Sequence, residues 1–330
     1  MDGAPDGSSG RGEDLDGKEE PMTRNIRRKL WLGLGICAVL LPKPGRSQDA
    51  EFLRAEHLMD VQADFNQPTE VGIGKEGEIL VLDGVNGQVK VFDERGRFLR
   101  AIGSAGEGEG QLRQAVGMDL DSHGNVYIAD TGNRRVLVFN RGGVYLRGLD
   151  LTSLKARPVD VLVEEEGGRL YVSDREGHRI IVLTMDGAFV SAWGEYGEQP
   201  GHFRFPGMMA LDADGAVHVV DVLNTRVQVF NPNGGRARQI GEWGVTFGKL
   251  FRPKGLAWGP DDTLYVSDSY TGVIQVFEDT GRYRGVLADR EGRLLRLTTP
   301  VGMAFDRKGR LHVVQMETNK VSVFRIVEAG

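Results

Sequence analysis
Beyond residue 48, apolar and polar residues alternate in short runs, and each run is bounded by Gly, Asp, Asn or Pro. This pattern predicts short β-strands between tight turns, because successive side chains of a strand point to opposite faces. No stretch sustains a helical period. Val126 to Ala129 reads as one strand and Val136 to Phe139 as the next, joined by a turn of about five residues. Asp121-Ser122-His123-Gly124 leads into the first of them, with aspartate capping the turn and glycine tolerating positive φ.

One phrase recurs. Val126-Tyr127-Ile128-Ala129-Asp130 returns as Leu170-Tyr171-Val172-Ser173-Asp174, Val217-His218-Val219-Val220-Asp221 and Leu264-Tyr265-Val266-Ser267-Asp268. Ile79 to Asp83 precedes these copies and Leu311 to Gln315 follows them. The closing residues stand at 83, 130, 174, 221, 268 and 315, so the gaps are 47, 44, 47, 47 and 47. Nine residues after each closing residue comes Phe92, Phe139, Leu183, Phe230, Phe277 or Phe324, and a glycine follows four later in five copies. A period of this length is that of one propeller blade. Each unit divides into strands a to d, and proline enters strand a at Pro68, Pro158, Pro206, Pro253 and Pro300.

The sixth copy stops at Val327, where its fourth strand should begin. Phe52-Leu53-Arg54-Ala55 matches Phe98-Leu99-Arg100-Ala101 of blade one, so it is expected to supply the missing strand. Such closure removes the open sheet edge at the seam. The predicted fold is therefore all-β: a six-bladed β-propeller of four-stranded antiparallel blades, closed by an N-terminal strand completing the last blade. The blades span about 68–103, 115–148, 157–194, 205–241, 252–287 and 299–327 plus 52–56, within one propeller over 48–330.

The pattern runs Pro-x-Gly-hydrophobic, then Asp-x-x-Gly, then a strand and Asp-x-x-Asn-x-Arg-Val-x-Val-Phe, the last part carried by Asp130-Thr131-Gly132-Asn133-Arg134-Arg135-Val136-Leu137-Val138-Phe139. Together these resemble the NHL repeat, as does Asp221 to Phe230. Blade one keeps Asp83 and Asn86 but has Gln88 for arginine, blade three has Gly177 for asparagine, and blades five and six drift further. The resemblance covers about residues 52 to 327 and implies a six-bladed propeller. Members range from partner- and RNA-binding modules to amidating lyases, so it implies no single activity.

Composition narrows the field. Of 330 residues, 47 are glycine with no three-residue period, which excludes collagen and agrees with many turns. The single cysteine excludes a disulfide framework. A net charge of −6 opposes nucleic-acid binding by bulk charge. Residues 1–21 are polar and expected to be a disordered or mis-annotated leader. Residues 22–47 set Arg24, Arg27, Arg28 and Lys29 before an apolar run from Leu30 to Leu41, the pattern of a signal peptide. The expected location is secreted or periplasmic, with membrane attachment only through an uncleaved signal.

The strand order puts the b–c turns and d–a loops on one face, which is expected to carry binding. Candidates there are Arg134, Arg135, Arg179, Arg226, Trp193, Tyr196 and Trp243. Asp130, Asp174 and Asp221 stand five residues before Arg135, Arg179 and Arg226, which predicts repeated salt bridges. Asp83 and Asp268, lacking that arginine, are expected to be more available. Phe203, Phe205 and Phe251 are expected in the core. Glu70 and Asp160 lie near the start of the innermost strand and are the candidate ligands for calcium or zinc, the metal held at the channel mouth in six-bladed lactonases and amidating lyases. Otherwise no cofactor is expected. No HxH, HExxH or GxSxG occurs. The expected function is a non-catalytic scaffold for a protein or peptide partner; the alternative is a metal-dependent lactonase- or amidating-lyase-like enzyme in the channel.

Overall fold
The computed structural model describes residues 51–327; the predicted leader and signal segments lie outside them. Four blades are separate four-stranded sheets with strands in sequence order, such as Glu70–Ile73, Ile79–Asp83, Gln88–Phe92 and Phe98–Ile102. Blade five runs from Pro253–Trp258 to Tyr283–Ala288. Blade six combines Pro300–Phe305, Arg310–Gln315 and Lys320–Val327 with Phe52–Gln62 as its outermost strand. Among the described residues the only helix is a 3₁₀ turn at Thr131–Asn133.

Alternation places one face of each strand against the preceding blade and the other against the next. Six apolar clusters result, one at each blade junction. Between blades two and three, for example, Ala129, Val136 and Val138 meet Val161, Leu170 and Val172. Phe92, Phe139, Leu183, Phe230, Phe277 and Phe324 are all buried. The c–d turn glycines have a shared reason. Gly143, Gly187, Gly234 and Gly281 have positive φ, and each rests on a strand-d side chain of the preceding blade: Ile102, Leu149, Trp193 and Ile240. A β-carbon there would be strained in conformation and crowded.

The closing strand corrects one detail. The equivalent of Phe98, which faces Phe92, is His57, which faces Phe324. Both pairs carry the same bulge one residue later. Phe52, Leu53 and Arg54 instead pair in parallel with Val286, Leu287 and Ala288 of blade five. The likeness of Phe52–Ala55 to Phe98–Ala101 is thus five residues out of structural register. The strand extends to Gln62, so Val61 becomes fully buried and Asp60 meets Lys320 and Ser322 at 2.8 and 2.6 Å. Burial pushes the Asp60 carboxyl up, but Lys320, Ser322 and His57 outweigh it and hold it at about 2.

Candidate binding face and channel
The residue ending each strand b anchors the loop before strand a. Asp83, Asp130, Asp174, Asp221 and Gln315 each accept an N–H from 17 residues earlier in the chain, donated by Asn66, Arg113, Arg157, Arg204 and Thr298. Asp268 accepts from Phe251 and Arg252. In three blades an arginine completes the clamp: Arg135–Asp130 at 2.9 Å, Arg179–Asp174 at 3.0 Å and Arg226–Asp221 at 2.9 Å. The same guanidiniums donate to loop carbonyls, Arg135 to Gly108 and Gln111, Arg179 to Leu154, and Arg226 to Gln199 and His202. These three arginines hold loops in place and are not free to meet a partner. Arg134 is tied to Glu176 at 2.7 Å and donates to the carbonyls of Lys155 and Ala156.

Asp83 and Asp268 are not more available, contrary to expectation. Lys90, two residues further along strand c than the missing arginine, reaches Asp83 at 2.9 Å. The oxygens of Asp268 take N–H groups of Phe251, Arg252, Tyr270 and Thr271. Both aspartates are fully buried. A carboxylate at a strand end satisfies backbone donors whatever its cationic partner, and that need fixes its place.

Trp193 also leaves the candidate binding set. It ends strand d of blade three, stacks on Phe230 at 4.3 Å and lies beneath Gly234. Its equivalence to Ile102, Leu149 and Ile240 was available in the repeat. Tyr196 and Trp243 remain, 63% and 69% exposed. They occupy the same position in two loops of one design, in which Tyr196 bridges Phe203 and Trp243 bridges Leu250 in parallel. Ala105 bridging Leu112 is the corresponding pair after blade one. In each loop an inward Phe or Leu plugs the blade junction and the facing residue is held outward. Phe203 is core as expected. Phe205 is not; it is half-buried at positive φ, lines the channel mouth, and contacts His178 at 4.9 Å. Half-buried Phe251 supports Tyr270, which is 66% exposed, at 4.4 Å.

The channel has two regions of opposite character. Its inner part, about 240 Å³, is lined by Glu70, Asp119 and Asp160 with Met118, Met209 and Met303 among apolar neighbours. Glu70 and Asp160 are thus brought together, and Asp119, which carried no repeat signal, joins them. The innermost strand has no sheet partner on its channel side, and these carboxylates supply acceptors to its N–H groups. Asp119 accepts from Leu120 and from Val163 of the next blade. Asp160 accepts from Val161 and from Met209 of the next blade. Glu70 accepts from Val71. Gly302 and Gly117 make room for Glu70 and Asp160, since a β-carbon at either would strike the carboxylate.

Burial raises all three acids. It pushes Asp119 up to about 6, with Glu165 and Asp121 adding to the effect. Burial followed by the Asp160 charge raises Glu70, and burial, with Asp119 adding to it, raises Asp160. Both oxygens of Asp160 already accept N–H bonds, and no third His, Cys, Asp or Glu forms a metal-ligand group with them among the described residues. A divalent cation needs several ionised or neutral donors turned towards it. These residues do not fit the calcium or zinc site suggested by the sequence.

Asp119 yields a pH prediction. Its folded-state pKa of about 6 lies above its ordinary 3.8, so the folded chain binds more protons between those values. The resulting stability is present below about pH 4 and lost as pH rises through 6. The stability of the wild type minus that of Asp119→Asn should therefore fall by about 1–3 kcal/mol from pH 4 to pH 7. Urea unfolding across that range checks it, and a flat difference would contradict the burial argument.

A six-bladed beta-propeller family model matches residues 63–161. The chain is 25% identical over 139 residues to the protein brain tumor of Drosophila melanogaster, covering 41% of this chain and 13% of that protein. It is 32% identical over 124 residues to human NHL repeat-containing protein 3, covering 36% of each. The chain thus spans less than half the length of the curated relatives it matches. A gluconolactonase from Xanthomonas campestris superposes with a TM-score of 0.64 at 13% identity, over 84% of this chain and 96% of the other, a likeness of fold alone. Repeat, sheet topology and these likenesses agree: the chain is a six-bladed β-propeller whose repeats are similar to those of NHL-repeat proteins.

Proposed function
We propose that this propeller is a non-catalytic binding scaffold outside the cytoplasm, and that it meets a protein or peptide partner on the face of its b–c turns and d–a loops. The observation that carries the reading is the exposure of Tyr196 and Trp243 at equivalent tips of two clamped loops, with Tyr270 on the adjoining b–c turn. Large aromatic side chains on rigid supports lose little entropy on binding and dominate interface energetics. Location outside the cytoplasm rests on the basic flank and apolar run of residues 24–41. The channel carboxylates favour a structural role over a metal-dependent lactonase or lyase reaction, because their oxygens serve backbone donors.

The test is site-specific photo-crosslinking in the exported fraction, with the reactive residue at 196, 243 or 270 and a control at His123 on the opposite face. A discrete adduct from the first three positions and none from position 123 is the expected result. Equal labelling at position 123, or no adduct at any aromatic tip, would overturn the reading. Trp243→Ala should weaken binding of the captured partner by at least about tenfold.

A further inference from the structure
The channel mouth on the loop-bearing face is a cavity of about 390 Å³, within the range of small-molecule sites. All six blades contribute to its wall. In four of them the innermost strand shifts register just after its entry proline. These bulges lie between Pro158 and Asp160, Pro206 and Met209, Pro253 and Leu256, and Pro300 and Met303. A bulge re-aims side chains out of the pleat, and the bulged segments include Val159, Met208, Lys254 and Val301, which line the mouth.

The lining has two chemistries. Met208, Val222, Leu223 and Phe205 make an apolar wall. Arg175, Arg252 and Lys254 bring three cations from blades three and five. Among the described residues none of these three side-chain cations forms an ion pair with Asp or Glu, in contrast to the paired Arg135, Arg179 and Arg226. Arg175 is held over the Phe205 ring at 5.5 Å. The hydroxyl of Thr69, also in the wall, is buried without a hydrogen-bond partner. Burial, and after it Arg252 and Arg175, depress the Lys254 pKa, the mark of a cation lacking a compensating anion.

We infer that the channel mouth binds an organic acid, its carboxylate held by Arg175, Arg252 and Lys254 and its apolar body against Phe205, Met208, Val222 and Leu223. Uncompensated cations beside an apolar wall favour a ligand that supplies both a negative charge and a hydrophobic group. The Thr69 hydroxyl adds one donor. The acidic inner channel keeps the carboxylate at the mouth by disfavouring its entry further in. The inference is independent of the aromatic tips, since neither Tyr196 nor Trp243 lines the cavity.

Calorimetric titration of the full chain at pH 7 and low salt tests it, with 4-phenylbutyrate as probe and its amide as control. The acid should bind at least tenfold more tightly than the amide. Arg252→Gln and Lys254→Gln should each weaken the acid at least fivefold and leave the amide unchanged, with the circular dichroism spectrum preserved. Lys254→Arg should retain binding. A tripeptide ending in phenylalanine, as free acid and as amide, separates the sources: preference for its free acid marks a polypeptide C-terminus, and binding of 4-phenylbutyrate alone marks a small molecule. Equal affinity of acid and amide, no binding of any acid, or indifference to both substitutions would overturn the inference, and the first two readings need no variant to fold.

Discussion
Truncating the chain to begin at Ala63 should abolish cooperative folding of the ring. The deletion removes the outer strand of blade six, whose pairing runs from Arg54–Val327 to Gln62–Lys320. Val321, Val323 and Phe324 would lose part of their cover, and Lys320 and Ser322 would lose Asp60. An unpaired strand edge is also a template for association between chains. The expected loss is more than about 5 kcal/mol, comparable to the whole stability of many domains. Urea unfolding should show an early, broadened transition, and size-exclusion chromatography should show oligomers. Adding a peptide of residues 51–62 should restore the monomer and the midpoint. Val61→Asp puts a charge at a fully buried position of the same junction and should cost several kcal/mol without removing the strand. A truncated chain with the wild-type midpoint would mean that the strand does not hold the ring closed.

The second large effect is expected at Asp221. Its carboxylate takes hydrogen bonds from the Arg204 N–H at 2.8 Å, Asn224 at 2.8 Å, Arg226 at 2.9 Å and Gln228 at 3.1 Å. Burial nevertheless pushes the Asp221 carboxyl up, so desolvation outweighs what these donors return. Such a pair is dangerous to break and gives little net stabilisation when whole. Asp221→Ala would leave Arg226 buried beside unpaired donors and should cost about 3–5 kcal/mol. The double change Asp221→Leu with Arg226→Met should cost clearly less than the sum of its parts. A double-mutant cycle in urea measures the coupling, and additive losses would show that the two side chains act separately.

Much of the architecture was legible because it repeats. The 44- to 47-residue spacing, the Asp–Arg pairs and the c–d turn glycines each answer a local need that recurs in blade after blade. A strand end must satisfy loop donors, and a tight turn must accommodate positive φ. The same regularity misled the choice of binding residues. Arg135, Arg179, Arg226 and Trp193 looked like surface features, yet each satisfies a requirement that every blade shares in some form. Tyr196 and Trp243 differ from those four: they are large at a position where Ala105 suffices, and both are exposed.

By itself, then, the sequence determined six four-stranded units, their turns and their closure by an N-terminal strand. Those features follow from alternation and period, which act over a few residues at a time. Only the tertiary structure decided which residues of that strand pair with blade six. The match at Phe52 is a likeness of side chains, whereas the register at His57 follows from ladder pairing and from burying Ala55 and Val61 together. Tertiary structure alone also gathered Thr69, Arg175, Arg252 and Lys254 at one opening. They come from three blades, and although Thr69 and Lys254 each follow an entry proline, Arg175 and Arg252 hold other repeat positions, so no single spacing in the chain links the four. They meet because six inner strands converge on one axis when the ring closes.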